Sequence, residues 1–191
     1  MAHFTIIGTG NMANAIGGVL ADGGSSVSYL SREQVGSATL EGDVVVLAVP
    51  HPAVDGILDA YGDQLSGKTI IDITNPLNFE TFDSLVVPAG SSKAAEIQAR
   101  VPGARVLKAF NTNFAATLTS KQVGGEPTTV LIAGDDTMAK QVLSGAIEAG
   151  GVKAIDAGAL SRAHELEAIG FLQITLAASD VISWTGGFAI V

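Results

Sequence analysis

Residues 3–13, HFTIIGTGNMA, give the strongest indication of the fold. Its first five residues form a short apolar run that ends at Gly8, and the small apolar residues after Gly10 are numerous enough for a helix that ends near Asp22. In this G-x-G-x-x-A arrangement, Gly8 permits a tight turn, Gly10 lets the backbone approach a pyrophosphate, and Ala13 lets the helix pack closely on the strand. We therefore predict a strand, a turn and a helix whose free N–H groups bind dinucleotide phosphates.

Strand and helix signals alternate along the rest of the chain, which is typical of an α/β protein with a parallel sheet. We predict a single doubly wound Rossmann domain over residues 1–191, with a mostly parallel sheet of about seven to eight strands, a C-terminal helix and a short apolar tail. After the first strand, the predicted strands are residues 26–30, 43–49, 68–73, 104–110, 128–133 and 152–155, and the predicted helices begin at Pro52 or span residues 92–101, 135–149 and 161–180.

Composition excludes several classes of function. The formal net charge is −9, with 10 basic and 19 acidic residues, so we expect no nucleic-acid partner. The absence of cysteine excludes disulfides and thiolate chemistry, and the three histidines lie too far apart in sequence to suggest a metal site. The most apolar long stretch, residues 166–184, is interrupted by Glu167, Gln173 and Asp180, so it indicates a core helix rather than a membrane span. The N-terminus lacks the charged region that is typical of a secretory signal. We therefore expect a cytoplasmic protein with no membrane partner.

The end of the second predicted strand indicates which dinucleotide binds. An NAD site usually has an acidic residue there, whereas this chain has Ser31-Arg32 and no acid from Val27 to Leu30. A guanidinium beside a hydroxyl suits a 2′-phosphate because it is a fixed cation with forked donors. We predict NADP(H) over NAD(H). The alternatives are a solvated surface arginine, and a Glu33 that turns toward the ribose.

The carboxyl ends of three other strands carry candidate site residues, because ligands of open α/β sheets bind at that edge. His51 either hydrogen-bonds a ligand or is an exposed residue at a helix start. Asn75 either meets the nicotinamide side or belongs to an Asn-Pro turn. The run KAFNTNFA at residues 108–115 offers two amides and two aromatic rings, which suit either a wall for a ring or the core. Asp72 lies inside a strand, and we interpret it as structural.

These features together resemble the NADPH-dependent reductases of the 5-deazaflavin coenzyme F-420, and the resemblance extends from Phe4 to about Ala178. The nucleotide domains of membrane metalloreductases are similar too. The residues that carry the resemblance are GTGNMA at 8–13, Ser31-Arg32, AVP at 48–50, GSSKAAEIQARVPGARVLKAFNT at 90–112, AGDD at 133–136 and DAGALSRAHELE at 156–167.

The resemblance implies an NADP-dependent oxidoreductase that transfers hydride from C4 of NADPH to C5 of a deazaflavin, or to N5 of a flavin such as FMN or FAD. It also implies a homodimer, for which the apolar tail from Trp184 to Val191 is a candidate contact unless it folds on its own core. The family often has His where this chain has Asn111, and residues 81–89 do not match it. Two other functions stay open, namely reduction of a small imine and a non-catalytic NADPH-binding regulator.

The expected site residues follow from the strand ends and the resemblance together. Asn111 and His51 are the candidate catalytic residues. Asn111, Asn113 and Ala115 are expected at the second ring, which is the small-molecule redox acceptor. The residues expected to contact NADP(H) are Gly8, Thr9, Gly10, Asn11, Met12, Ser31, Arg32, Ala48, Val49, Pro50, His51, Asn75, Pro76, Phe110 and Asn111.

Overall fold

The computed structural model describes residues 2–191 and contains a seven-stranded sheet with helices on both faces. The strand order is β2-β1-β3-β4-β5-β8-β9, and every neighbouring pair is parallel except β5 and β8. A separate two-stranded ribbon joins β6 to β7. The strands are β1 His3–Ile7, β2 Ser26–Leu30, β3 Val44–Leu47, β4 Thr69–Asp72, β5 Arg105–Lys108, β6 Gln122–Val123, β7 Glu126–Pro127, β8 Thr129–Gly134 and β9 Lys153–Gly158; the helices are α1 Asn11–Asp22, α2 Val54–Tyr61, α3 Lys93–Arg100, α4 Ala115–Ser120, α5 Thr137–Ala149 and α6 Ala163–Ala178.

Two apolar clusters cover the two faces of the sheet. On β3, Val44 and Val46 belong to the cluster shared with α1 and α5, whereas Val45 and Leu47 belong to the one shared with α2 and α3. Because alternate side chains of a strand point to opposite faces, a strand covered on both sides must be apolar at every position. All four residues of β3 are buried, which explains its continuous apolar sequence.

The predicted Rossmann fold is confirmed, and every predicted strand is present within a few residues of its predicted bounds. Two features were not predicted. The helix α4 has only six residues and the ribbon strands have two each, so neither is long enough to leave a periodic signal. The predicted start of α5 near residues 135 and 136 is confirmed. The Asp136 side chain caps the helix by accepting a hydrogen bond from the Ala139 N–H at 2.8 Å.

The order of the strands creates one crevice. The chain passes from β1 outward to β2 and then returns to β3 on the other side of β1, so the connections leave the carboxyl ends of β1 and β3 in opposite directions. Ligands of open α/β sheets bind at such a switch point.

Within residues 2–191, no helix is both long and apolar enough to cross a membrane, and no cluster of His, Asp and Glu suitable for a metal ion is found.

Candidate functional site

The glycine-rich turn closes tightly against the neighbouring strands. Gly8 has a φ of +129°, and a Cβ on it would lie 2.1 Å from the Ala48 carbonyl oxygen. Its N–H donates to the Leu30 carbonyl at 2.9 Å, and the Ala48 N–H donates to the Ile7 carbonyl at 2.9 Å. Both the backbone conformation and the close approach therefore require glycine, and the turn joins the ends of β1, β2 and β3.

The N-terminus of α1 faces open space. Gly10 is the residue before the helix, and no side chain of the described residues caps the free N–H groups of the first turn. A Cβ on Gly10 would meet no atom within 4 Å. Packing against the described residues therefore does not require glycine at this position. The absence of a side chain leaves the backbone of the turn accessible to an anion.

The Ser31-Arg32 pair lies at the carboxyl end of β2, where it was expected, but Glu33 takes part in the arrangement. The Ser31 hydroxyl donates to a Glu33 carboxylate oxygen at 2.7 Å, and the Ser31 N–H donates to the Gln34 side chain at 2.9 Å. The hydrogen bond from Ser31 lowers the pKa of the Glu33 carboxyl, so this carboxylate is ionised at neutral pH. Arg32 is exposed and forms no ion pair among residues 2–191. The ionised Glu33 carboxylate therefore lies beside the predicted phosphate site.

His51 lies in a short 3₁₀ turn that follows β3 and Pro50. Burial lowers the pKa of its imidazole, and the nearby Lys93 ammonium lowers it further. The ring is therefore neutral at physiological pH and can donate one hydrogen bond and accept another. Lys93 itself is held by Asp55 at 2.9 Å, so its charge is compensated.

A buried charge cluster supports the ends of β4 and β5. The Lys108 ammonium contacts Asp72 at 2.8 Å and Glu167 of α6 at 2.8 Å, and all three side chains are fully buried. It also donates to the Thr74 carbonyl, while the Thr74 N–H donates to Asp72 at 2.9 Å. Burial raises the pKa of the Glu167 carboxyl. The lysine thus holds together two strand ends and the C-terminal helix, and Asp72 is structural as expected.

Asn75 and Asn111 bind each other above this cluster. The Asn75 side-chain amide donates to the Asn111 carbonyl at 2.8 Å, and the Asn111 amide donates to the Asn75 oxygen at 2.9 Å and to the Leu166 carbonyl at 2.8 Å. Gly170 fits between them, since a Cβ there would lie 2.2 Å from the Asn75 side-chain oxygen. Both amide protons of Asn111 are therefore used within the chain, and its buried side-chain oxygen has no partner within residues 2–191.

The segment after β5 is held in an unusual conformation. Phe110 is fully buried and has a φ of +62°, which is costly for a residue with a side chain and is common near functional sites. The Asn113 amide donates to the Thr129 carbonyl at 2.9 Å, and its buried oxygen has no partner among the described residues. Ala115 and Asn11 line one groove of about 730 Å³ between α4 and α1. The groove brings together a residue expected at the nucleotide and a residue expected at the second ring.

Three residues that support the site, Lys108, Glu167 and Gln173, were not predicted from the sequence. Gln173 donates to the Thr112 carbonyl at 3.1 Å and accepts from the Phe188 N–H at 3.0 Å, so it joins the tail to the segment after β5. The available signal was the spacing of Glu167, Gly170 and Gln173, which places two polar residues and a glycine on one face of an otherwise apolar helix.

Several proteins are similar in sequence to this chain. Residues 30–76 match the family model described as NADP oxidoreductase, coenzyme F420-dependent. The chain is 30% identical over 178 residues to metalloreductase STEAP3 of Rattus norvegicus, covering 86% of this chain and 35% of that protein. It is 32% identical over 143 residues to the F420-dependent NADP reductase of Methanocaldococcus jannaschii, covering 73% of this chain and 64% of that protein. The chain thus spans less than two thirds of the length of either relative.

Solved structures of other proteins have a similar fold. A candidate F420-dependent NADP reductase from Arthrobacter sp. FB24 superimposes over the whole of both chains with a TM-score of 0.87 and 23% identity. An imine reductase from Bacillus cereus has a TM-score of 0.65 and 16% identity over 95% of this chain and 63% of that one. At these identities the structures show the shared Rossmann fold. The sequence matches go further, because they make the chain similar to coenzyme F420-dependent NADP oxidoreductases over residues 30–76 and to the F420-dependent NADP reductases over 73% of its length.

Proposed function

We propose that this chain is an NADP-dependent oxidoreductase that binds NADP(H) across the ends of β1, β2 and β3 and passes hydride to a deazaflavin or flavin ring beside β4 and β5. The observation that carries the proposal is the open N-terminus of α1 at Gly10, at the switch point of the sheet, with Arg32 following the neighbouring strand β2. The names of the relatives, which are F420-dependent NADP reductases and a metalloreductase, support the reaction class.

The residues present fit a dinucleotide. A side chain at position 10 would occupy the open space beside the turn, and glycine leaves that space free for the pyrophosphate. The uncapped N–H groups of α1 provide the hydrogen-bond donors. Arg32 provides a forked cation for the 2′-phosphate, and Ser31 a hydroxyl beside it. In this proposal Thr9, Asn11 and Met12 contact the phosphates, and the backbone of residues 48–50 lies along the riboses.

The second half of the site positions rings rather than providing an acid–base pair. NADPH supplies a hydride, so that NADPH, the oxidised ring and one proton give NADP⁺ and the reduced ring. The chain's role is to hold two rings at contact distance and to exclude water. The side-chain oxygens of Asn111 and Asn113 are unpaired acceptors for ring or carboxamide N–H groups. The neutral His51 adds hydrogen bonds without adding charge.

A reduction assay tests this proposal. The full chain is mixed with NADPH and, in separate reactions, with coenzyme F-420, FMN, FAD, a ferric chelate and a cyclic imine such as pyrroline-5-carboxylate, and the NADPH absorbance band is followed. We expect turnover with the deazaflavin or a flavin. Turnover with the imine alone would favour imine reduction, to which the fold is also suited. Tight NADPH binding without turnover on any acceptor would indicate a regulator.

A glycine variant tests the nucleotide site separately. Because a Cβ at Gly10 meets no protein atom, Gly10→Val leaves the fold intact while its side chain occupies the space proposed for the pyrophosphate. We expect NADPH binding to be lost with an unchanged melting temperature. Gly145→Val is the matched control, because Gly145 on α5 also has open space at Cβ and lies in no part of the site. Undiminished NADPH binding by Gly10→Val would contradict the proposal.

We also propose that the chain forms a homodimer through the outer face of α6. Ile169 and Leu172 are exposed there although the helix is apolar on nearly every side, and such a helix is normally covered. The tail is tied to α6 by the hydrogen bond from the Phe188 N–H to Gln173, and its Trp184, Phe188, Ile190 and Val191 side chains remain exposed. A single mass of twice the chain weight at micromolar concentration is expected, and Leu172→Glu should halve it. A monomeric mass for the unchanged chain would reject the dimer.

A further inference from the structure

Trp184 rests on the site segment and remains half exposed. It is the single tryptophan of the chain. Its ring centroid lies 5.0 Å from that of Phe114, with the two planes inclined by 51°, and 51% of its surface is accessible. Phe114 is only 8% exposed and immediately precedes α4. Trp184 therefore offers to solvent the aromatic surface that Phe114 itself does not.

The tail is fixed in this place by polar contacts. Gln173 accepts a hydrogen bond from the Phe188 N–H and donates one to the Thr112 carbonyl, so a single side chain ties the tail to the segment that follows β5. The Ser183 hydroxyl and Thr185 side chain bind each other at 2.8 Å and shape the turn that carries Trp184. The indole thus has a defined position beside the carboxyl edge of the sheet.

We infer that Trp184 is a wall of the acceptor site, against whose indole the ring of the proposed acceptor stacks. This inference rests on the proposed function. Two features of the same segment agree with it: the buried oxygen of Asn113, which has no partner within residues 2–191, and the strained Phe110. Stacking on an indole suits an electron-poor, planar ring of several fused cycles, because it offers both area and π surface.

The test compares variants of Trp184 with ring acceptors. Trp184→Ala is expected to raise the KM for FMN and coenzyme F-420 by on the order of tenfold, the effect of losing one stacked ring. Trp184→Phe is expected to restore most of the loss. The dissociation constant for NADPH should stay unchanged. Met138→Ala is the matched control, because Met138 is 67% exposed on α5, which starts from the opposite edge of the sheet.

A binding measurement removes the dependence on turnover. Since all tryptophan emission comes from Trp184, adding FMN to the full chain with NADP⁺ present should quench it in a saturable way, whereas glycerol phosphate should not. Absence of saturable quenching, or an unchanged KM for both ring acceptors in Trp184→Ala, would overturn the inference. A halved molecular mass for Trp184→Ala with an unchanged KM would do so as well, by assigning the indole to a subunit contact. If the chain fails to bind NADP⁺ or NADPH at all, the proposed function fails instead.

Discussion

The two halves of the carboxyl edge use their polar groups in opposite ways. In the nucleotide half, which comprises residues 8–13 and 31–33, no side chain of the described residues caps the first-turn N–H groups of α1, and the exposed Arg32 forms no ion pair within residues 2–191. In the buried network, which comprises Asp72, Asn75, Lys108, Asn111 and Glu167, nearly every donor binds another part of the protein. A free donor on the surface is available to a ligand, whereas a buried and satisfied one stabilises the frame that holds it.

This contrast predicts different consequences for mutation. Changes in the nucleotide half should alter cofactor binding and leave the free energy of unfolding nearly unchanged. Changes in the buried network should alter the free energy of unfolding first, and binding only through displaced strand ends. Four substitutions test the contrast, and a variant that behaves like the other half would break it.

The largest effect is expected for Lys108→Met. Removing the ammonium leaves Asp72 and Glu167 fully buried without their shared cation, and breaking a buried pair in this way costs about 3–5 kcal/mol. The measurement is the free energy of unfolding from urea denaturation. Lys153→Met is the control, because Lys153 is exposed at the start of β9 and its loss should cost less than about 0.5 kcal/mol. Equal stabilities of the two variants would show that the buried cluster is not what holds the strand ends.

Arg32→Ala should affect binding rather than stability. If the guanidinium holds the 2′-phosphate, its loss weakens NADPH binding by about 1.5–3 kcal/mol and leaves NADH binding unchanged. Calorimetric titration with both nucleotides measures the difference, and a melting curve checks that the fold is intact. A variant in which both nucleotides weaken by the same factor would show that Arg32 does not read the phosphate.

Gly170→Ala should destabilise the fold although alanine is the better helix former. The new Cβ would lie 2.2 Å from the Asn75 oxygen and 2.9 Å from the Asn111 amide nitrogen, and overpacking of this kind costs about 1–3 kcal/mol. Gly145→Ala of α5 is the matched control, because its Cβ meets nothing and the change should stabilise the helix by about 0.5–1 kcal/mol. The same sign for both variants would contradict the packing of Asn75 and Asn111 on α6.

The smallest effect is expected for Glu33→Gln. The Glu33 carboxylate is ionised and takes the Ser31 hydroxyl, so it repels a phosphate at that position and competes for its donor. Removing the charge should tighten NADPH binding a few-fold, more at low than at high salt, and leave NADH unchanged. Glu41→Gln carries the same charge change, and its neighbour Gly42 lies against the amino end of β1. If both variants tighten NADPH equally, the effect comes from net charge and not from Glu33.

The sequence predicts the strand, turn and helix of the nucleotide half because their signal is local. Gly8, Gly10 and Ala13 follow one another in a strand, a turn and a helix, and the backbone requirements of that turn leave few alternatives. Arg32 follows the next strand directly. Such features depend on neighbours in sequence, so one chain without any structure is enough to find them.

The buried network escaped prediction because its members are distant in sequence. Lys108 and Glu167 are 59 positions apart, and a lysine at the end of an apolar strand carries no sign of its partner. Asn75 and Asn111 were both expected near the ligand, but the sequence offers no indication that they bind each other. The position of Trp184 against Phe114 likewise depends on how the tail returns over α6.

We propose that the nucleotide half binds NADP(H) in preference to NAD(H). An equilibrium titration of the unmodified chain with NADPH and with NADH, in the same buffer and at the same salt concentration, tests it most directly. We expect the dissociation constant for NADPH to be lower than that for NADH by about 10- to 150-fold, which corresponds to the contribution of hydrogen bonds to a charged phosphate. Equal dissociation constants for the two nucleotides would contradict it.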